Sequence, residues 1–255
     1  MIRVSFRVRA DEAEIARARL LELAPTGFEE SGAGNTTELA VYTDQAGADR
    51  IRSAFTEPVL AERVPDGWEE RWRTFHRPVH AGGLWIGPPW EAPPPGEPAV
   101  VVDPGRAFGT GAHPTTRACI ELLAGHERGA VLDAGTGSGV IAVAAATLGF
   151  EPVFALDLDR DAVEAAMATA SRNGVRVQVW RADVLVDELP EADLMVANIE
   201  LRAVESLLAR RPAARAITSG YLADETPQVS GWEQVSRVEL DGWAADLLAL
   251  AGERF

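Results

Sequence analysis

From residue 99 onward, apolar stretches of strand length alternate with stretches of helical spacing, and this alternation restricts the fold more than any other feature. The strand-like segments GAVLDAG, EPVFALDLD and VRVQVWRAD are separated by the helix-like segments SGVIAVAAATLG and RDAVEAAMATASRNG. Strands that alternate with helices form mainly parallel sheets with helices on both faces. The pattern predicts an α/β domain over 99–255, with a possible hairpin at its end. Ligands of such sheets bind beyond the carboxyl ends of the strands.

Residues 1–65 have a different pattern and predict a separate, smaller lobe. The segments IRVSFRVR and TELAVYT alternate as strands do, GFEESGAG is a weaker strand candidate, and VLAERV follows as a last strand. Helical spacing over 11–24 and 45–55 completes the order β-α-β-β-α-β, which is typical of a ferredoxin-like sandwich. Because this lobe has no histidine and no phosphate-binding glycine loop, we do not expect a catalytic site in it.

Residues 66–98 are predicted to connect the two lobes. Trp68, Trp72 and Phe75 lie on one face of a helix, and packing of this face against a lobe is favoured over a binding stripe. The segment GPPWEAPPPGEP that follows is rich in proline, which indicates either a stiff extended linker or a loop between strands. Both features predict lobes that are held at a defined spacing.

The composition excludes several classes of function. The formal net charge of −15 argues against a grip on nucleic acid through phosphate contacts and favours a basic partner, although acidity could equally serve only solubility. The sequence contains no lysine, which excludes Schiff-base and pyridoxal-phosphate chemistry. The single cysteine, Cys119, is interpreted as part of a helix core and fits a reducing cytoplasm. Neither a signal peptide nor a membrane span is predicted.

A glycine turn follows the strand VLDA of the α/β domain. Gly135, Gly137 and Gly139 have the spacing G-x-G-x-G, whereas the fingerprint of dinucleotide-binding proteins is G-x-G-x-x-G. Asp133 precedes the turn, and its carboxylate would repel a pyrophosphate but suit a cationic or hydroxyl-bearing ligand. The turn therefore favours a cofactor other than a dinucleotide.

Two more acids stand at the ends of predicted strands. Asp157 follows Gly135 by 22 residues, at a position where a carboxylate can accept hydrogen bonds from both ribose hydroxyls. Asp183 ends the next strand, where the edge of an adenine could lie. Acids at three strand ends with no lysine nearby describe a nucleoside site without phosphates. S-adenosylmethionine fits such a site, with its amine near Asp133.

The loop FGTGAHPTT and the segment ANIE supply the remaining candidates. The loop leads into a helix N-terminus, whose free N–H groups and threonine hydroxyls can hold the carboxylate of the cofactor. The contacts expected from it are Phe108, Thr110 and Thr116. His113, in the same loop, is favoured as a structural residue over a general base. Asn198 in ANIE can orient a substrate amine toward the methyl group or cap a turn, and its position alone favours neither role.

These segments resemble one family of methyltransferases, the PrmA type, which modifies the large-subunit ribosomal protein eleven. The similar segments are DPGRAFGTGAHPTT, VLDAGTGSGVIAVAAATLG, ALDLD, VANIE and WEERWRTFHRP, and with the N-terminal pattern they extend over essentially the whole chain. The resemblance implies a class I Rossmann-like fold with a mainly parallel seven-stranded sheet, and a substrate-recognition role for the N-terminal lobe. It also implies S-adenosylmethionine as donor and methylation of lysine side-chain and N-terminal amines.

The resemblance also assigns roles to individual residues. It implies cofactor contacts for Thr116, Gly135, Asp157 and Asn198, with Asn198 also near the target amine. The complete expected cofactor site consists of Phe108, Thr110, Thr116, Asp133, Gly135, Gly137, Asp157, Asp183 and Asn198, and the expected catalytic residues are Asn198 and His113. Two features depart from the pattern: NIELRAV lacks the N-P-P-Y form of many amine methyltransferases, and Tyr221 stands where an aliphatic residue is common.

Other functions remain open at this point. The chain could methylate another protein or a small amine. A nicotinamide-dependent dehydrogenase is a weaker alternative, because it would be expected to have the G-x-G-x-x-G spacing. A cofactor-binding regulator without catalysis is the third.

Overall fold

The computed structural model describes residues 2–9, 12–13, 16, 19–20, 23–24, 28–33, 36–63, 76–104 and 111–252. The chain forms two compact units, Met1–Phe75 and His76–Phe255. Each unit has a buried apolar core of its own.

The first unit contains a four-stranded antiparallel sheet with the order β2-β3-β1-β4. Alternate residues of its first strand point to one face, where Val4, Phe6 and Val8 are buried. The strands and the helix that follows the third strand lie where the sequence predicts them. Their bounds are β1 (Ile2–Arg9), β2 (Glu29–Ala33), β3 (Thr36–Thr43), α1 (Gln45–Ala54) and β4 (Leu60–Arg63).

The helix predicted over 11–24 lies partly outside the described residues. Ala13, Ala16 and Leu20 are described, are helical, and are buried in the core of this unit. Their spacing of three and four residues is that of one helix face. The strand order agrees with the pattern β-α-β-β-α-β, and the ferredoxin-like assignment of the whole unit stays a prediction.

The second unit begins with a small three-stranded sheet. Strands β5 (Val79–Ala81) and β6 (Leu84–Gly87) pair antiparallel, and β6 pairs in parallel with β7 (Ala99–Val101). The proline-rich segment joins β6 to β7, so it is a loop between strands and not a linker between lobes.

This small sheet corrects the predicted connection over 66–98. From residue 76 onward the segment belongs to the second unit, because Leu84 and Ile86 are buried in the core of that unit. Proline has no N–H to pair, so the prolines are confined to the loop while their apolar neighbours on both sides form strands. The predicted stripe of Trp68, Trp72 and Phe75 lies outside the described residues.

The main sheet of the second unit has seven strands in the order β10-β9-β8-β11-β12-β14-β13. The five strands from β10 to β12 in this order are parallel, and the last two form an antiparallel hairpin. The bounds in chain order are α2 (Pro114–Ala124), β8 (Val131–Ala134), α3 (Val140–Thr147), β9 (Val153–Asp157), α4 (Arg160–Asn173), β10 (Gln178–Arg181), β11 (Leu194–Asn198), α5 (Leu201–Ala209), β12 (Arg215–Leu222), β13 (Trp232–Leu240) and β14 (Trp243–Leu250).

The strand order reverses between β8 and β11. From β8 the chain continues outward through β9 and β10, and then returns to the other side of β8 to form β11 and β12. In sheets of this kind ligands bind outside the carboxyl ends of the strands at such a reversal. The topology therefore indicates a ligand site at the loops after β8, β9 and β11.

The core of the second unit contains buried residues of the strands β8 and β11 and of the helices α2, α3 and α5. The first six residues of α3 are all buried, which explains why this helix is apolar on every side. Cys119 is buried in α2, as expected for a core residue, and burial raises the pKa of its thiol. None of the helices in the described parts of the chain has the length and apolar character needed to span a bilayer.

Candidate active site

Three of the expected site residues lie at the carboxyl ends of adjacent strands, at the reversal of strand order. Asp133 is near the end of β8, and Asp157 and Asn198 are the last residues of β9 and β11. Strand β8 pairs with both neighbours, with Ala134 opposite Leu156 and Asp133 opposite the third residue of β11. The topology therefore brings together side chains that are up to 65 residues apart in sequence.

The glycine turn between β8 and α3 packs closely against its neighbours. The amides of Gly135 and Thr136 both donate to the carbonyl of Leu156 at 2.9 Å, which ties the turn to β9. Gly135 has a φ of +78°, and a Cβ there would come within 2.4 Å of Cγ2 of Ile199. A side chain at this position would be strained by the left-handed backbone and would displace a neighbour, and glycine avoids both costs.

Asp133 is buried beneath the turn. Its Oδ2 accepts hydrogen bonds from the hydroxyl of Thr136 at 2.6 Å and from the amide of Ala142 at 3.0 Å, so the carboxyl joins the turn to α3. Its Oδ1 is also buried and has no hydrogen-bond partner in the described part of the chain. Burial raises the pKa of Asp133 to about 7. A buried acceptor without a partner fits a ligand that brings a donor or a positive charge.

Asp157 is only partly buried and holds the turn from the other side. Its Oδ2 accepts from the amide of Gly137 at 2.9 Å, and its Oδ1 accepts from the amide of Asp159 at 2.9 Å. A carboxylate has about four acceptor positions, so each oxygen keeps capacity for one further donor. The carboxylate can therefore shape the turn and also accept hydrogen bonds from a ligand.

Asp183 lies two residues after the end of β10, in a tight turn. Its Oδ1 accepts from the amide of Leu185 at 2.9 Å, and its own amide donates to Oδ2 of Asp187 at 2.9 Å. These bonds account for an aspartate at this position through turn geometry alone. The predicted contact with an adenine stays a prediction.

His113 is the N-cap of α2, in the loop where the sequence places it. Its Nδ1 lies 2.8 Å from Oγ1 of Thr115 and accepts a longer hydrogen bond, 3.4 Å, from the amide of that residue. The ring stands edge-on to that of Trp243 at 5.0 Å between centroids. Burial lowers the pKa of His113, which favours the neutral ring that a cap requires. Phe108 and Thr110 lie outside the described residues.

Thr116 and Asn198 connect the start of α2 to the end of β11. The amide nitrogen of Asn198 donates to Oγ1 of Thr116 over 3.4 Å, which is long for a hydrogen bond. Thr116 is buried, and Asn198 is partly exposed. The structure therefore brings Thr116, at the end of the segment FGTGAHPTT, into contact with the expected catalytic amide of Asn198.

Two residues beside Asn198 were missed by reasoning from sequence. Gly220 has a φ of +101°, and its Cα lies so close to the backbone of Ile199 that a Cβ would come within 2.1 Å of the carbonyl oxygen. A glycine inside a strand pattern often marks a bulge or a close approach of two backbones, so the glycine in ITSGY could have predicted such a feature from sequence. The identity of its partner, Ile199, had no signal because it depends on the pairing of β11 with β12.

Comparison with known proteins identifies one family. A profile of the family described as ribosomal protein L11 methyltransferase (PrmA) matches residues 33–246. The ribosomal protein L11 methyltransferase of Shewanella piezotolerans is 43% identical, in a match covering 67% of this chain and 62% of that protein. Those of Exiguobacterium sp. and Symbiobacterium thermophilum are 40% and 38% identical, covering 73% and 80% of this chain and 65% and 73% of those proteins. This chain spans less than two thirds of the length of the Shewanella and Exiguobacterium proteins.

A solved structure agrees with the fold. The ribosomal protein L11 methylase from Lactobacillus delbrueckii subsp. bulgaricus is similar, with a TM-score of 0.61 and 26% identity. The match covers 69% of this chain and 99% of that one. Together with the observed strand order, this likeness confirms the predicted class I Rossmann-like fold with its mainly parallel seven-stranded sheet.

Proposed function

This chain belongs to the ribosomal protein L11 methyltransferase (PrmA) family, and we propose that it transfers methyl groups from S-adenosylmethionine to ribosomal protein L11. The observation that carries the proposal is the placement of Asp133, Asp157 and Asn198 around one glycine turn, at the ends of three adjacent strands. The finer assignment, methylation of lysine side-chain and N-terminal amines, follows from the family resemblance.

The residues present fit this cofactor better than they fit a dinucleotide. A pyrophosphate beside the turn would lie near the carboxyl of Asp133, which repels it whenever that carboxyl is ionised. The Oδ1 of the same carboxyl, to which none of the described residues donates, suits an amine, and S-adenosylmethionine carries one.

S-adenosylmethionine would supply a methyl group on a positively charged sulfur, and a neutral amine would attack the methyl carbon in line with the breaking carbon–sulfur bond, so that the cofactor leaves as a neutral thioether. The groups of this chain bind and orient the reactants. Asp157 would accept hydrogen bonds from the ribose hydroxyls with its remaining lone pairs, and Asp133 would attract the cofactor amine. Thr116, in the first turn of α2, would hold the carboxylate. Further contacts are assigned to Phe108, Thr110, Gly137 and Asp183.

Asn198 is the residue that we place beside the target amine. An amide oxygen there accepts a hydrogen bond from the neutral amine and directs its lone pair at the methyl carbon. Methyl transfer needs alignment more than a strong base, and positioning alone can contribute ~7–11 kcal/mol in favourable cases. We propose that His113 contributes by capping α2, because its Nδ1 is engaged with Thr115 and burial lowers its pKa.

The partner is a basic ribosomal protein, which the net charge of −15 attracts electrostatically. The same charge opposes a direct grip on nucleic acid, so recognition is assigned to the protein substrate. We place the reaction in the cytoplasm, where ribosomal proteins are made.

The test is transfer of labelled methyl groups to purified L11, followed by mass mapping of the product. We expect label on lysine side-chain or N-terminal amines, and titration calorimetry should show binding of S-adenosylmethionine but not of NAD. Cofactor binding without label on L11 would contradict L11 as the substrate and would favour either another amine substrate or a cofactor-binding regulator without catalysis. Binding of NAD instead of S-adenosylmethionine would contradict the proposal at the cofactor.

A further inference from the structure

Ile199, the residue after Asn198, lies between two glycines from different parts of the sheet. A Cβ on Gly135 would come within 2.4 Å of its Cγ2, and a Cβ on Gly220 would come within 2.1 Å of its carbonyl oxygen. Gly135 opens the glycine turn. Gly220 lies at a bulge in β12, where the register with β14 shifts. The side chain of Ile199 therefore approaches the turn while its backbone approaches the bulge.

The bulge is anchored by hydrogen bonds on both sides of Gly220. The hydroxyl of Ser219 donates to the carbonyl of Ala244 at 2.6 Å, and the hydroxyl of Tyr221 donates to Oδ2 of Asp246 at 2.8 Å. The amide of Ile199 donates in turn to the carbonyl of Ser219 at 3.1 Å. The backbone of Ile199 thus rests on a fixed part of the sheet.

Asn198 is restrained less firmly than its neighbour. The hydrogen bond that its side chain donates to Thr116 is 3.4 Å long. The direction of the Asn198 amide therefore depends on where the backbone places residues 198 and 199. We propose that Ile199 is a positioning residue: its Cγ2 methyl, held against Gly135, aligns Asn198 with the glycine turn. This proposal rests on the proposed function, because the alignment matters only if Asn198 faces the amine.

Three substitutions separate this role from general packing. Ile199→Val keeps a methyl at the Cγ2 position, whereas Ile199→Leu keeps the carbon count but moves the branch away from Cβ. Ile217→Leu makes the same change in a fully buried core position of β12 outside the site. We expect single-turnover methyl transfer to L11 to fall at least tenfold in Ile199→Leu, and less than threefold in Ile199→Val and Ile217→Leu.

Three further measurements distinguish a positioning role of Ile199 from a purely structural one: cofactor affinity, hydrogen exchange and the rate of a double variant with Asn198. The turn keeps its own bonds to Leu156, so the Kd for S-adenosylmethionine should change less than threefold in Ile199→Leu. Hydrogen exchange of the segment 194–200 should slow on cofactor binding in the wild type and much less in Ile199→Leu. The double variant with Asn198→Ala should be no slower than Asn198→Ala alone, because Ile199 acts through that side chain.

The outcomes distinguish this proposal from the proposed function. A wild-type protein that transfers no methyl group to L11 overturns the proposed function and this inference with it. An active wild type with equal rates in Ile199→Leu and Ile199→Val, or with rate losses that follow the melting temperature in all three variants, overturns the positioning role alone.

Discussion

Asp133 and Asp157 are the same residue type at neighbouring strand ends, but their surroundings suit them to different tasks. Asp133 is enclosed, with one oxygen bonded and the other without a partner in the described chain, and burial raises its pKa to about 7. Asp157 is partly exposed, and both of its oxygens accept backbone amides. The first environment favours a ligand that brings positive charge, and the second favours ligand hydroxyls.

Replacement of Asp157 by alanine should weaken cofactor binding. Hydrogen bonds to a charged group contribute roughly 1.5–3 kcal/mol, so we expect the Kd for S-adenosylmethionine to rise about ten- to hundredfold. Asp159→Ala is the matched control, because Asp159 is an exposed aspartate two residues away whose side chain caps α4, and its backbone amide is kept in the variant. Titration calorimetry of both variants makes the comparison. Equal affinity in Asp157→Ala and Asp159→Ala would contradict the ribose assignment.

The raised pKa of Asp133 predicts a specific pH dependence of stability. In the unfolded chain this carboxyl ionises near pH 3.9, but in the fold it ionises near 7. Below pH 4 the carboxyl is protonated in both states and does not reduce the free energy of unfolding. As the pH rises from 4 toward 7 the free energy of unfolding falls, because the carboxyl ionises readily only in the unfolded chain. Asp133→Asn does not titrate, so the variant should gain roughly 2.6 kcal/mol on the wild type between pH 5 and pH 8. Urea unfolding at both pH values measures this, and parallel pH profiles would show that the carboxyl is ionised throughout.

At the scale of elements, the start of α2 tests what His113 does. Asparagine is a strong N-cap and alanine is not, and loss of a cap costs about 1 kcal/mol. If His113 acts as a cap, His113→Asn should keep the melting temperature and keep methyl transfer within threefold, while His113→Ala loses stability. A stable His113→Asn protein with methyl transfer as slow as His113→Ala would instead identify the ring as a base.

The types of the elements were predictable because strand-like and helix-like segments alternate regularly along the chain. The predictions that were wrong concern the length and the placement of strands, which depend on segments distant in sequence. The segment VRVQVWRAD predicts a strand over 175–183, but only Gln178–Arg181 pair with β9, which ends at Asp157. The prolines after β6 suggested a linker, but Leu84 and Ile86 are buried in the core of the second unit, and β6 and its partner β5 therefore belong to that unit. No local pattern contains this information, because it arises from packing between segments.

The strand-end residues of the candidate site were predictable from sequence, but the hydrogen bonds that hold them in place were not. Asp133, Asp157 and Asn198 each lie at the end of an apolar strand, and parallel strands end at the same edge, so these residues could be grouped from sequence. The hydrogen bonds of Asp133 to Thr136 and Ala142 could not, because they depend on how the turn enters α3.

At the scale of the whole molecule, the departure at Tyr221 has a physical explanation. Its hydroxyl donates to the fully buried carboxylate of Asp246, which also pairs with Arg237 at 3.1 Å. Burial raises the pKa of Tyr221, so the hydroxyl stays protonated and available as a donor. An aliphatic residue would leave this carboxylate with fewer partners, which is costly in a core. The three residues come from β12, β13 and β14, so the network joins the hairpin to the edge of the parallel strands.

The central claim is that the end of β11 holds the target amine against the methyl group of a cofactor bound at the glycine turn. The most direct measurement is the single-turnover rate of methyl transfer to L11 by Asn198→Ala, recorded with its melting temperature and its Kd for S-adenosylmethionine. A hydrogen bond that matters mainly in the transition state lowers the rate without weakening binding equally. We predict a rate at least tenfold below wild type, a rise in Kd several times smaller than the fall in rate, and an unchanged melting temperature. A stably folded Asn198→Ala protein that methylates L11 at the wild-type rate would contradict the account.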